Sequence, residues 1–348
     1  MHAAKSTVRL VRPGVRLAVA LGLSLGLLSM PGGTAARAEV AYKIDPAKVQ
    51  GPDACGECHK SSVSAWKQTQ HFKTFKTLPR LKTAKAIAKK MGLKRIKAKS
   101  DCLTCHFTSA IVRNKTKPIG GITCESCHGA GKDWIKGHAD FGGKGVTAET
   151  ESPDHRKQRY AQAESVGMTR PSRLYALAAN CYGCHSVPNE KLVNVGGHAA
   201  GSMFELVSWS QGEVRHNVWY SKENTQASAE RRRMMYIVGQ ALDLEFALRG
   251  MAKATTEAAY AASMEKRAAA ALAAMKKIAA VVEAPEIKDI VAAGETELSI
   301  NNEGPLTATA ERVAAAARKF AEGHDGSAFA AVDGLIPLPD KYKGKPAP

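Results

Sequence analysis

The eight cysteines of this chain fall into four pairs, Cys55/Cys58, Cys102/Cys105, Cys124/Cys127 and Cys181/Cys184, and a histidine follows each pair directly: His59, His106, His128 and His185. Two thiols at this spacing can add across the two vinyl groups of one haem, and the adjacent imidazole then meets the iron from one side. No cysteine is left over. The four C-x-x-C-H motifs therefore predict four covalently attached haems c, with His59, His106, His128 and His185 as proximal ligands. Structural disulfides would suit an oxidising compartment, and zinc ribbons also use C-x-x-C pairs, but neither needs a histidine after the second cysteine. Histidine makes up 11 of the 348 residues, so four such coincidences have a probability on the order of one in a million.

Each iron has a second axial face. Beyond residue 38, six histidines lie outside the motifs: His71, His138, His155, His198, His216 and His324. That supply suffices for bis-histidine ligation throughout, and His71, His138, His198 and His216 are the candidate distal ligands. His71 ends a run from Ser64 with no Gly or Pro, which reads as helix. Twelve helical residues from His59 would span about 18 Å, so His71 is expected to serve a different haem. His138 follows Gly137 and His198 follows Gly196-Gly197, and glycine lets the backbone approach a flat ring closely. His155, in a charged stretch, and His324, far from the motifs, are weaker candidates. Met168 or Met203 on an iron would raise its potential. An iron closed by two imidazoles has no position for a substrate, and one-electron transfer is the job left to it. The chain thus reads as an electron carrier rather than an enzyme, with no catalytic residue assigned. The alternative is a reductase of a small nitrogen or sulfur compound at a five-coordinate haem.

These residues need elements to position them. Lys5, Arg9, Arg12 and Arg16 precede a short apolar run, Leu17 to Met30, and Ala36-Arg37-Ala38 follows the breakers Pro31 to Gly33. Residues 1–38 are expected to be a cleaved export signal, which places the mature chain in the periplasm. Residues 39–220 hold every motif and are expected to form a haem module of short helices and long loops, with 142–172 as a long polar loop. The second and third motifs are joined by a short turn-rich stretch with Pro118, Gly120 and Gly121, which suggests neighbouring haems. Residues 221–348 are alanine-rich with helical periodicity: helices are expected over 228–251, 255–282 and 307–322, broken at Pro285, Gly294 and 301–305. The predicted fold is mainly α, a haem module followed by a helical hairpin or small bundle that binds no haem and ends in a frayed polar tail.

The formal net charge is +18, and loss of residues 1–38 would leave the chain basic. Export makes nucleic acid an improbable partner, no later segment is apolar enough to cross a membrane, and redox proteins of acidic character are the expected partners. Arg80 to Lys99 carries nine basic residues and no acid, with Leu81, Ala84, Ile87, Ala88 and Met91 at helical spacing. That pattern is a helix with one apolar and one basic face, suited to docking or to neutralising haem propionates.

Over roughly residues 50–200 the chain resembles the tetrahaem cytochrome c-554 family known from ammonia-oxidising bacteria. The shared pattern is Cys55-Gly56-Glu57-Cys58-His59, Trp66, Thr69 and His71, then Cys102–His106, Gly121-Ile122-Thr123-Cys124-Glu125-Ser126-Cys127-His128-Gly129, Gly137-His138 and Cys181–His185. The resemblance implies an α-helical fold with closely stacked haems, an electron-carrier function, and His71 and His138 as distal ligands. It also implies that the second haem lacks a sixth ligand. The C-terminal helices have no counterpart in that family.

Overall fold

The structure, a computed structural model, describes residues 44–98, 100–201, 203–218 and 223–348, and the expected export segment lies outside them. The second and third attachment motifs fold as single helical turns, which set both cysteines on one face, three residues apart. The first motif joins α1 (Pro52–Gly56) to α2 (Lys60–Lys67), with His59 at the N-cap of α2. A break then precedes α3 (Gln70–Thr77), because the Thr69 hydroxyl accepts from the Phe72 N–H at 3.2 Å and caps a new helix. The single helix expected up to His71 is therefore two, and His71 stands in the first turn of the second. The expected basic helix is α4 (Lys82–Lys90): Ala88 is buried while Lys82, Lys85, Lys89 and Lys90 are exposed.

The second motif is α5 (Cys102–His106). The link to the third motif is a hairpin of β1 (Thr108–Val112) and β2 (Lys115–Gly120), paired antiparallel. Arg113 and Asn114 both take positive φ, 51° and 60°, as a two-residue hairpin turn demands. The third motif is α6 (Cys124–His128). Much of the expected polar loop is a helix, α7 (Pro153–Ser165). Ser152 caps it by accepting from the His155 N–H, and Pro153 opens its first turn. With charged residues on every face, it has no apolar stripe by which to recognise it. The fourth motif ends α8 (Leu174–His185), followed by α9 (Glu190–Asn194) and α10 (Leu206–Ser210).

Four long helices complete the chain: α11 (Ala229–Ala252), α12 (Ala259–Ala279), α13 (Pro285–Gly294) and α14 (Glu303–Gly323). Pro285 and Gly294, expected as breaks, are the first and last residues of α13, in keeping with proline's preference for the first helical position. α11 is the centre, packed against α12, α14 and α8. Leu242, Leu244, Leu248, Met264, Met275, Ile287, Ile290 and Phe320 fill the interior. Buried Ala241, Ala247, Ala268, Ala271, Ala310 and Ala314 let the helices approach closely. The same apolar core takes in Leu174, Ala178 and Tyr182 of α8. A buried polar chain reinforces this joint: the Tyr175 hydroxyl donates to Glu245 at 2.5 Å, and Arg249 bridges Glu245 at 2.8 Å and Glu311 at 3.0 Å. The helix bearing the fourth motif is thus anchored on the bundle. No helix among the described residues is long and apolar enough to cross a membrane.

The tail, expected to fray, is hydrogen-bonded along residues 208–213. The Lys343 N–H donates to the Ser208 carbonyl at 2.9 Å and the Glu213 N–H to the Lys343 carbonyl at 2.8 Å. Ala347 is buried. Composition could not reveal this, because the contacts are between backbone groups.

Candidate metal centres

The four motif histidines each face one further histidine across the same gap. Ring centres are 6.3 Å apart in His59/His138, His71/His185, His106/His198 and His128/His216. An imidazole nitrogen lies about 2 Å from a bound metal such as zinc, and about 1 Å from its own ring centre, so two imidazoles on opposite sides of one ion stand about 6 Å apart. The gap therefore fits a six-coordinate iron at each position. The ring planes differ in each pair: 20° for His59/His138, 48° for His106/His198, 55° for His71/His185 and 87° for His128/His216.

The tautomers suit ligation. With Nδ1–H donating, His128 reaches the Thr169 carbonyl at 2.9 Å, His138 that of Ile135 at 2.7 Å, His198 that of Ala199 at 2.8 Å and His216 that of Val214 at 2.8 Å. Each such bond leaves the Nε2 lone pair available to a metal. Burial pushes His106 and His185 down to about 4 and lowers His59, His71 and His128 as well. Neutral imidazole is the form that binds a metal. Burial likewise pushes the thiols of Cys127 and Cys181 up, to about 11 and about 12.

A network behind the ligands fixes their places. The Trp66 indole N–H donates to the Ile122 carbonyl at 2.7 Å, and the Ile122 N–H donates to the His71 carbonyl at 3.1 Å. A Cβ on Gly121 would collide with that same carbonyl, so only glycine fits there. This contact links α3 to the third motif and accounts for Trp66, Gly121 and Ile122 in the sequence pattern. Glu125, between the two cysteines of the third motif, is 1% exposed. It accepts from the backbone N–H groups of Gln50 at 2.8 Å, Gly51 at 2.8 Å and Gly131 at 2.7 Å. It thereby joins the approach to the first motif to the exit of the third. Arg159 on α7 donates to the His138 carbonyl at 2.5 Å and pairs with Glu151 at 2.5 Å. Its hydrogen bond, helped by His155 and Arg156, holds the Glu151 carboxyl down to about 2. Sequence reasoning missed Glu125 and Arg159 as positioning groups. Glu125 carries a signal in hindsight, a carboxylate inside an attachment motif.

The thiols bring the centres together in a particular order. The Cys55 thiol lies beside that of Cys124, and the Cys105 thiol beside that of Cys184. Cys127 acts electrostatically on Cys181, and the Asn180 side chain of α8 donates to the Cys127 carbonyl at 2.9 Å. The centres thus run first, third, fourth, second. The pairs in thiol contact are first with third and second with fourth, not the second and third suggested by their short link. The weaker histidine candidates and Met203 stand apart from these pairs. His155 Nδ1 lies 2.7 Å from Glu151, His324 packs between Phe320 and Phe329, and Met203 is 91% exposed. Buried polar atoms with no protein partner, among the described residues, include Trp134 Nε1 beside His138, and Ser186 Oγ and Trp209 Nε1 beside His185. They are donors available to the carboxylates of a bound haem.

Residues 54–129, which contain the first three motifs, match the family described as cytochrome c554 and c-prime. Over this stretch the chain is similar to cytochrome c554. A curated relative, cytochrome c-554 of Nitrosomonas europaea, is 29% identical over 137 residues, which is 37% of this chain and 55% of that protein. The chain therefore spans about half the length of that relative. No solved structure matches. The match implies haem c. The open second centre implied by the resemblance has a different appearance here, where His198 stands opposite His106 at the spacing of the other three pairs.

Proposed function

We propose that this chain is a periplasmic tetrahaem cytochrome c that carries single electrons between redox proteins. The observation that carries the reading is one ring-to-ring geometry repeated at all four attachment motifs. When bound, haem c supplies a one-electron iron couple. The chain's residues do the rest. Eight cysteines would hold the groups covalently, and the pairs His59/His138, His106/His198, His128/His216 and His185/His71 would ligate the irons. With both faces taken, a substrate has no place to bind, which favours a carrier over a reductase. The sequence features of residues 1–38 support export. A pyridine haemochrome assay on protein matured by a c-type haem apparatus should return about four haems per chain. Zero or one haem, or bound zinc instead, overturns the reading.

The basic helix supports an acidic partner and a place for it. α4 lies over the second centre: Ala88 and Ile96 share an apolar cluster with Cys102, Leu103 and Phe107, and Met91 abuts Gly196, two residues before His198. The second centre ends the series, so a protein docked on Lys82, Lys85 and Lys89 would meet a terminal group. The screening length falls from about 30 Å at 0.01 M salt to about 8 Å at 0.15 M. Electron exchange with a reduced plant-type ferredoxin, used as an acidic probe and followed by stopped flow, should slow about tenfold or more over that range. Lys82→Glu/Lys85→Glu/Lys89→Glu should lower the rate at low salt and flatten its salt dependence. An unchanged rate and slope would remove this face as the docking site.

A further inference from the structure

The loop that carries His216 is held on both sides by the end of the chain. On one side, the Glu213 N–H donates to the Lys343 carbonyl at 2.8 Å, and the Lys343 N–H donates to the Ser208 carbonyl at 2.9 Å. A Cβ on Gly212 would collide with the Lys343 backbone, so the tail lies against the loop itself. On the other side, Asn224 gathers three backbone segments. Its Oδ1 accepts from the Asn217 N–H at 2.9 Å, and its Nδ2 donates to the Arg215 carbonyl at 2.8 Å and the Ala347 carbonyl at 2.7 Å. Asn224 is 7% exposed and Ala347 5%. Glu213, Arg215 and Asn217, the residues around His216, are thus tied directly or through Asn224 to residues 343–347.

These ties have an energetic consequence for the metal centre. The α10–α11 connection is too irregular to fix a side chain by its own helix. A histidine on it stays opposite His128 only where the flanking backbone is restrained. The restraint comes from a segment more than a hundred residues away in sequence, which binds no metal itself.

We propose that residues 343–348 are a clamp that positions His216 across from His128, so that the C-terminal tail sets the sixth ligand of the third centre. The proposal rests on the bis-histidine reading above. Lys343 and Asn224 are positioning residues; they touch neither ligand ring's metal-facing nitrogen. The clamp gives the C-terminal part of the chain a role beyond packing.

Three variants of the holoprotein test it: a chain ending at Tyr342, a full-length Asn224→Ala, and His216→Ala as the reference. The readouts are electron paramagnetic resonance of the oxidised protein, carbon monoxide uptake on reduction, and haem content. The first two variants should keep the wild-type haem content yet gain a high-spin signal with the line shape of His216→Ala. Carbon monoxide uptake should rise at least tenfold over wild type. If His216→Ala gains that signal while the other two keep every iron low-spin, the clamp is overturned and the ligand assignment stands. If His216→Ala itself leaves every iron low-spin, the ligand assignment at this centre fails and takes the clamp with it. Should the shortened chain fail to accumulate, Asn224→Ala decides alone.

Discussion

Replacing His71 by alanine should turn one of four low-spin irons into a high-spin iron that takes up carbon monoxide on reduction. His71 faces His185 across 6.3 Å, and burial keeps it neutral. Among the described residues His71 is the imidazole that faces His185, so removing its ring leaves that side without one. About one equivalent of carbon monoxide per chain is expected, against none for wild type, and the potential of that centre should rise or fall with the change of axial ligand. His138→Ala should act likewise at the centre of His59. The methionine variants separate geometry from chemistry, since a thioether in the same place can restore six-coordination at a higher potential. If both alanine variants leave all four spectra as in wild type, His71 and His138 are not ligands.

The second large effect is on stability. Glu125→Ala removes the acceptor of three N–H groups, from Gln50, Gly51 and Gly131, the last two of them buried. Leaving a buried donor unsatisfied costs about 1–3 kcal/mol, so the Gly51 and Gly131 donors together should cost about 2–6 kcal/mol. Guanidinium unfolding of the oxidised holoprotein, followed in the Soret band, should register that loss. Glu125→Gln should cost less, because one carboxylate oxygen serves both Gln50 and Gly131 and an amide oxygen can take its place. A loss below about 1 kcal/mol for alanine would mean that the three donors find other acceptors.

How much of this was legible in the sequence depends on whether the information is local. The attachment motifs are contiguous, so thiols and proximal imidazoles could be named from spacing alone. The choice of distal candidates rested on scarcity, since few histidines remain once the motifs are removed, and the fold sets those four opposite the motif histidines. Which one stands opposite which motif was not legible, because α3, α6 and α8 meet only in the folded chain. Thr69 broke a helix that contained no Gly or Pro, since a cap needs only a hydroxyl at the right place. α7 was hidden for the opposite reason: its cap and Pro153 were visible, but its faces are uniformly polar. Pro285 and Gly294 were read as interruptions when they mark the ends of a helix. The tail's role left no trace in composition, because Lys343 and Ala347 act through their backbones.

The ring planes carry one more consequence. Two parallel imidazoles donate into the same iron d orbital and split it well away from its partner, whereas two perpendicular ones treat both orbitals alike. The four pairs span 20° to 87°, so four irons held by these chemically identical ligand sets would not be magnetically equivalent. The His59/His138 centre should give the rhombic resonance of a strongly split ion, and the His128/His216 centre a single low-field feature of high anisotropy. Each centre would then carry its own label, written by the backbone that sets the ring rotations.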